Sequence, residues 1–232
     1  MSYKIAIIQA RMGSSRLPGK SLVLLGGIPV IDWVVSRCSM SKLIDKVVVA
    51  IPETSTDDPL ADYLKSKGVC VYRGSENNVL RRFYGVSSEY KKTILVRVCA
   101  DRPLVCPLLI DEAIEHFINH SCDLAYNHRS DLNSRKLIPF GFGVEVFSTE
   151  TFNRYAQERY TDYESEHITP KYYSNEYKSD FVKPKIDIER DGKFDLDDIL
   201  DFKRLKFVVS QGFSISHTFY DFMKGLERYD QS

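Results

Sequence analysis

Residues 4–20 read KIAIIQARMGSSRLPGK. Ile5–Ile8 is a short apolar run, and it empties at once into a loop holding Arg11, Gly13, Ser14, Ser15, Arg16, Pro18, Gly19 and Lys20. The run predicts a buried strand. The loop places three cations within ten residues, interleaved with small side chains. Glycine and serine let a backbone approach a ligand closely, and fixed cations match the charge of a phosphate chain. The stretch therefore predicts a strand that delivers a polyphosphate-binding loop.

The loop is not a Walker loop, which places four residues between its first glycine and the Gly-Lys pair. Five separate Gly13 from Gly19 here, and Pro18 removes an amide that a cradle would use. No G-x-G-x-x-G follows the strand, which disfavours a dinucleotide fold. A plain basic surface loop is the competing reading, but the density of special residues in RMGSSRLPGK argues against it.

Beyond this stretch, the 232 residues suit one α/β domain, and 43% hydrophobic content is ample for a core. Formal net charge is zero, so no global field draws the chain to nucleic acid or anionic lipid. No apolar stretch approaches the length of a membrane span, and nothing resembles a signal peptide, so a cytoplasmic protein is expected. Cys38, Cys70, Cys99, Cys106 and Cys122 are odd in number and scattered, as buried free thiols would be. No C-x-x-C is present, which argues against zinc.

Apolar runs alternate with amphipathic stretches. Strands are expected at Lys46–Ile51, Val69–Tyr72, Thr93–Val98 and Asp123–Tyr126. Helices are expected at Pro29–Met40, from Asp57 or Asp58 to about Lys67, at Glu76–Tyr90 and at Pro107–Asn119. This order predicts a parallel sheet with helices on both faces. The rhythm breaks after 127. Residues 127–136 read as a polar protruding loop, and Leu137–Phe147 as a strand or hairpin. Thr149–Glu158, Glu164–Ser174 and 196–211 read as helices, and Phe181–Ile188 as a strand. No clear linker is present, so the whole is expected to be a single domain whose rhythm changes at about residue 126.

In open α/β sheets, ligands bind beyond the carboxyl ends of the strands. Three segments should meet there: the Arg11–Lys20 loop, Arg73-Gly74-Ser75-Glu76-Asn77-Asn78, and Cys99-Ala100-Asp101-Arg102-Pro103. Magnesium takes one or two carboxylates plus phosphate oxygens, and Asp101 fits that role. Taken alone, Asp101 reads equally as a metal ligand or as a residue that merely caps the next segment or pairs with Arg102; the cationic first loop favours the metal. A second carboxylate is sought in Asp195-Leu196-Asp197-Asp198, where Asp197 is singled out, although acids at a helix start also serve the helix dipole. His116 and His120 lie one turn apart and read as a solvated helix face rather than a metal site. His167 reads equally as a donor to a substrate carboxylate or as a satisfied core histidine. Glu145 could face a sugar hydroxyl or end a tight hairpin.

IIQARMGSSRLPGK, RGSENNVLRRF, RVCADRPLVCPLLID, PFGFGVEVFS and ESEHITPKYY, in that order, resemble the sugar-acid cytidylyltransferases. The nearest likeness is to the branch named for spore-coat polysaccharide biosynthesis. Acylneuraminate and 3-deoxy-manno-octulosonate cytidylyltransferases are more distant. The resemblance implies a Rossmann-like three-layer nucleotidyltransferase fold with a mostly parallel sheet, using CTP and Mg2+ on an acidic sugar to give a CMP-sugar and pyrophosphate. It implies that Arg11, Ser14, Arg16 and Lys20 hold the triphosphate, with Ala10 and Gly13 beside them. It places Arg73, Gly74, Ser75 and Asn78 at the cytosine and Asp101 on magnesium. The C-terminal acid falls on Asp197, in a register shared with Asp195 and Asp198. Arg102, Glu145 and His167 fall in the acceptor region, together with Arg129 and Arg135. A homodimer through a protruding segment is also implied.

The family commonly has Gly-Asp followed by a small or acidic residue before Pro, where this chain has Ala100-Asp101-Arg102-Pro103. Two rival readings follow. A metal-dependent glycosyltransferase would want Asp-x-Asp at that strand end. An inactive nucleotide-binding subunit would find its best support in Arg102. The acceptor itself is left open among eight-carbon, nine-carbon, phosphorylated and phosphonate compounds.

Overall fold

The computed structural model describes residues 2–127, 138–185, 192–217 and 221. The protruding segment expected at 127–136 lies outside these residues except for Asn127, as do Arg129 and Arg135.

The chain runs β1 (Tyr3–Gln9), β2 (Leu24–Leu25), β3 (Ile28–Pro29), α1 (Val30–Ser39), β4 (Lys46–Pro52), α2 (Asp58–Ser66), β5 (Cys70–Gly74), α3 (Val79–Ser88), β6 (Thr93–Cys99), α4 (Pro107–Asn119) and β7 (Leu124–Tyr126). It continues with β8 (Glu145–Ser148), α5 (Thr149–Gln157), α6 (Asp162–His167), β9 (Ser179–Phe181) and α7 (Ile199–Ser210). Seven strands form one sheet in the order β5-β4-β1-β6-β8-β7-β9. Only β8 opposes the others, pairing antiparallel with both β6 and β7.

The strands alternate between two apolar layers, as a period of two requires. From β1, Ala6 and Ile8 enter the core shared with α1, α2 and α4, while Ile5 and Ile7 enter the core shared with α3 and α5. β4 repeats this with Val49 and Ile51 against Val48 and Ala50. A third cluster joins Leu25, Trp33, Phe142, Phe194 and Leu205 beneath α7. Helix starts carry the caps their sequences provide. Asn78 accepts from Arg81 N, Ser148 from Thr151 N, and Asp198 and Asp201 form a capping box at α7.

The expected helix over Glu164–Ser174 is broken in two. α6 ends at His167, and a 3-10 turn covers Pro170–Tyr173. Between them Ile168 has φ 67 and ψ −51, and Thr169 N donates to His167 O at 2.8 Å. That is a γ-turn with positive φ, a rare and strained conformation for a β-branched residue. Full burial of the Ile168 side chain offsets the strain, and Pro170 blocks helical continuation. Of the strand expected at Phe181–Ile188, β9 reaches only Phe181, Val182 N adds one bond to Tyr126 O at 2.8 Å, and residues 186–188 lie outside the described residues; Pro184 could not donate to a ladder. Leu137–Phe147 is no hairpin among the described residues: β8 begins only at Glu145, and Phe140 bridges to Lys193 instead. Asp57 precedes α2 but does not cap it with its side chain.

The Phe140 bridge matters for the site. Phe140 N donates to Gly192 O, and Phe194 N to Phe140 O, each at 3.0 Å. Leu196 N then donates to Asp101 O at 2.7 Å. Three backbone bonds thus carry the acidic segment 195–198 to the end of β6. Gly141 permits the approach, with φ +99 and a would-be Cβ only 2.7 Å from the Phe194 carbonyl carbon. Gly141→Ala is therefore expected to lower stability by about 1–3 kcal/mol or more, read as a reduced urea midpoint with unchanged slope.

Candidate active site

The carboxyl ends of β1 and β6 open into a cleft of about 880 Å³. Its floor is Gln9, Ala10, Ala100 and Asp101, and the loop after β1 forms one wall. That loop is pinned from below. Asp57, almost fully buried, accepts from Met12 N at 2.7 Å and from Thr54 Oγ1 at 2.7 Å. Ser21 Oγ donates to Arg11 O. Gly19 takes the left-handed region, φ 71, and starts the short 3-10 turn that presents Lys20.

Lys20 is the hub. Its Nζ lies 2.9 Å from Asp101 Oδ2, 3.0 Å from Leu196 O and 3.5 Å from Asp197 Oδ1. Asp197 is also reached by Arg16 Nη2 at 3.3 Å and Lys193 Nζ at 3.1 Å. Burial pushes the Asp197 carboxyl up, but the Lys193 hydrogen bond and the charges of Lys193, Lys20 and Arg16 hold it below the usual range. The three candidate acids now separate. Asp198 caps α7, accepting from Leu200 and Asp201 amides. Asp195 faces Arg102, with Nε to Oδ1 at 4.0 Å, a distance that leaves both atoms without a hydrogen-bond partner. Asp197 alone shares an ammonium with Asp101.

A second cationic pair lines the same cleft. Arg11 makes no ion pair among the described residues. Arg82, 2% exposed, donates to Ser75 O but leaves Nε without a partner. Burial, then the charge of Arg11, pushes Arg82 down to about 10. The charge of Asp57 offsets this only in part, and a buried guanidinium beside another cation favours an anionic ligand.

The opposite wall is built around Arg97. Its Nη1 meets Glu145 Oε2 at 2.5 Å and Thr169 Oγ1 at 3.1 Å, and its Nε meets Gln9 Oε1 at 3.1 Å. Thr169 and Tyr173 hydroxyls donate to Glu145 Oε1 at 2.6 and 3.1 Å. Glu145, 2% exposed, is thus the counter-ion of Arg97 rather than a carboxylate held bare toward the cleft. Arg102 Nη1 donates to Gly143 O at 3.0 Å. His167 lines the cleft with its ring 4.4 Å from that of Tyr163.

Of the residues singled out from sequence, Ala10, Arg11, Ser14, Arg16, Lys20, Asp101, Arg102, Glu145, His167 and Asp197 line this cleft, and Gly13 lines a cavity that shares Arg11 with it. The segment after β5 does not meet them as expected. Arg73 turns away to Asp58 Oδ1 and to the carbonyls of Pro52 and Thr54. Gly74 packs on the Tyr72 ring, Ser75 serves Arg82, and Asn78 is occupied as the α3 cap and by Tyr160. Their neighbours Glu76 and Asn77 border the adjoining cavity instead. Arg82 and Arg97 were missed. The signal for Arg97 was present as a lone arginine inside the apolar run TILVRVC, whereas VLRRF offers Arg81 and Arg82 side by side and only burial separates them.

The sequence matches the profile of the family described as cytidylyltransferase over residues 5–222. The chain belongs to the cytidylyltransferase family. Cytidylyltransferases are CTP-using nucleotidyltransferases, and the cleft of cations opposite acids lies where such a fold binds its ligand. An uncharacterized protein of Methanocaldococcus jannaschii is 34% identical over 202 residues, covering 86% of this chain and 80% of that one. The spore coat polysaccharide biosynthesis protein SpsF of Bacillus subtilis is 38% identical over 130 residues, 54% of each chain. The 3-deoxy-manno-octulosonate cytidylyltransferase of Pelobacter propionicus is 34% identical over 117 residues, 49% of this chain and 44% of that one. The matched stretch therefore spans about half the length of these last two relatives. Among solved structures, a cytidylyltransferase from Leptospira borgpetersenii superposes with a TM-score of 0.89 at 25% identity, covering all of this chain and 96% of its own. No helix among the described residues is long and apolar enough to cross a membrane.

Asp195 gives a test of the cleft's electrostatics. Burial pushes its carboxyl up to about 6, although Arg102 pulls it down. The folded state then holds this proton more tightly than the unfolded chain, whose Asp releases it near 3.8. Stability must fall as pH rises between these values and level off above the upper one. Urea unfolding from pH 3.5 to 7 should show wild type losing ground to Asp195→Asn over that window, and parallel curves above it.

Proposed function

We propose that the chain transfers a cytidylyl group from CTP to an acidic sugar, releasing pyrophosphate and forming a CMP-sugar for surface polysaccharide or glycan synthesis. The observation that carries this reading is the shared hold of Lys20 on Asp101 and Asp197, with Arg16 alongside, at the end of β6. An ammonium bound by two acids, with Arg16 exposed on one of them and Arg11 in the same cleft, suits a ligand whose phosphates claim the cations. Arg11, Arg16, Lys20 and Arg82 would then neutralise the triphosphate and the charge that builds on the departing pyrophosphate. The acceptor hydroxyl attacks the α-phosphorus in line, and catalysis rests on positioning and charge.

Asp101 and Asp197 fit magnesium in their chemistry: two partly exposed carboxylates offering hard oxygen ligands that leave room for phosphate oxygens. Magnesium bound there supplies positive charge to the transferring phosphoryl group. The acceptor half is the wall of Arg97, Glu145, Thr169 and Tyr173 with Arg102 and His167. The sugar-acid reading draws on the names of the relatives and on the cations of this wall. Arg102 supports turnover rather than an inactive pocket, because its bonded partner is the Gly143 carbonyl and its closest carboxylate is Asp195, which leaves Asp101 to Lys20. Homodimerisation belongs to the same proposal.

Pyrophosphate release is to be followed with each nucleoside triphosphate against a panel of eight-carbon, nine-carbon and phosphorylated acidic sugars. CTP should be the preferred donor, and Asp101→Asn and Lys20→Ala should each lower turnover by about 100–1,000-fold while folding survives. Wild-type turnover in either variant removes that residue from the mechanism. Consumption of a nucleotide-sugar with CTP left intact replaces the proposal by the glycosyltransferase reading.

A further inference from the structure

The far edge of the sheet carries a group of side chains that the cleft does not use. His116 lies in the last turn of α4, Cys122 in the turn that follows, and Asp180 in β9. One ligand atom from each lies within 4.8 Å of the other two, and among the described residues no other three His, Cys or carboxylate side chains meet this way. None of the three lines the cleft. The local sequence showed only His116 and His120, because Asp180 arrives from a segment some sixty positions away.

The backbone holds these residues in place. Cys122 N donates to His120 O at 3.0 Å, which folds the turn back on the helix end. Asp123 N donates to Lys178 O at 2.8 Å, and Lys178 N to Asp123 Oδ2 at 3.0 Å, which locks the entry to β9. Asp180 then sits beside Ala125 of β7 in register. The His116 ring stacks on His120, with centroids 3.9 Å apart. Its Nε2 lies 3.2 Å from Asp180 Oδ2. That contact is a hydrogen bond; two ligands each ~2.0 Å from one tetrahedral ion lie about 3.3 Å apart, so an ion can replace the shared proton with little movement of this pair.

We propose that His116, Cys122 and Asp180 bind a zinc-class divalent transition metal, separate from the magnesium of the cleft, that fastens β9 to the end of α4. The donors favour that class: one imidazole nitrogen, one sulfur and one carboxylate oxygen suit Zn2+, whereas Mg2+ wants oxygen throughout. Binding releases the thiol proton to solvent. A thiolate, a carboxylate and a neutral imidazole then leave the filled site without net charge. All three residues are partly exposed, which leaves a path for the ion and a fourth position for water.

The test is titration of the metal-stripped full chain with Co2+ and, by competition with a chromophoric chelator, with Zn2+. One equivalent should bind, with thiolate-to-cobalt absorption. Changes one layer out from a metal typically cost ~10–100-fold in affinity, so Cys122→Ser and His116→Ala should each cost at least about 100-fold. Cys70→Ser, at the exposed thiol on β5, should change nothing. Alkylation of the wild type provides a measurement that needs no variant: Zn2+ should protect Cys122 and leave Cys70 reactive. Absence of the cobalt band, its persistence in Cys122→Ser, or equal alkylation with and without Zn2+ overturns the proposal. None of these readouts depends on cytidylyl transfer, so the two proposals fail independently.

Discussion

The ammonium of Lys20 sits between two acids brought from distant pieces of chain. Asp101 follows β6, Asp197 precedes α7, and the neighbouring Leu196 O accepts from the same ammonium. Two carboxylates converging at the carboxyl end of a central strand raise one another's cost of ionisation. A cation held rigidly between them removes that cost and fixes their spacing. The supports behind Lys20 follow from the same need. Gly19 turns the chain, Ser21 and Asp57 anchor the loop, and the Phe140 to Phe194 bridge delivers the acids.

The parallel half of the molecule was legible because its signals are local. KVVVAI and TILVRVC are apolar enough to be strands covered on both faces, and the helices between them show their periodicity and caps. The second half was less legible because its elements are set by tertiary contacts. Ile168 adopts a strained turn that no propensity would suggest, and burial of its side chain is what sustains it. β8 and β9 are four and three residues long, too short for a period to declare itself.

Within the cleft, the loop after β1 and Asp101 could be read from sequence because they lie where the fold class says ligands bind. Arg73 misled because a strand-end arginine can turn either way, and Asp58 with two carbonyls drew it outward. Glu145 lines the cleft as expected, but its pairing was hidden from the sequence. Its partner Arg97 lies one strand away at the matching register position, a relation visible only once β8 is known to pair with β6. Choosing among Asp195, Asp197 and Asp198 likewise needed three-dimensional partners: a cap, a neighbouring guanidinium and a shared ammonium.

The reversed direction of β8 sets the origin of each side of the cleft. The strands running with β1 present their final residues to this rim, whereas β8 presents its first, Glu145. The wall that holds Lys20 is therefore written largely by loops that leave strands, and part of the facing wall by the connection that enters one. That connection also contains Phe140 and Gly141, which hold Phe194 and so the acids that reach Lys20. A change of length ahead of Glu145 would therefore be felt by both walls at once, which makes them one inherited unit rather than two.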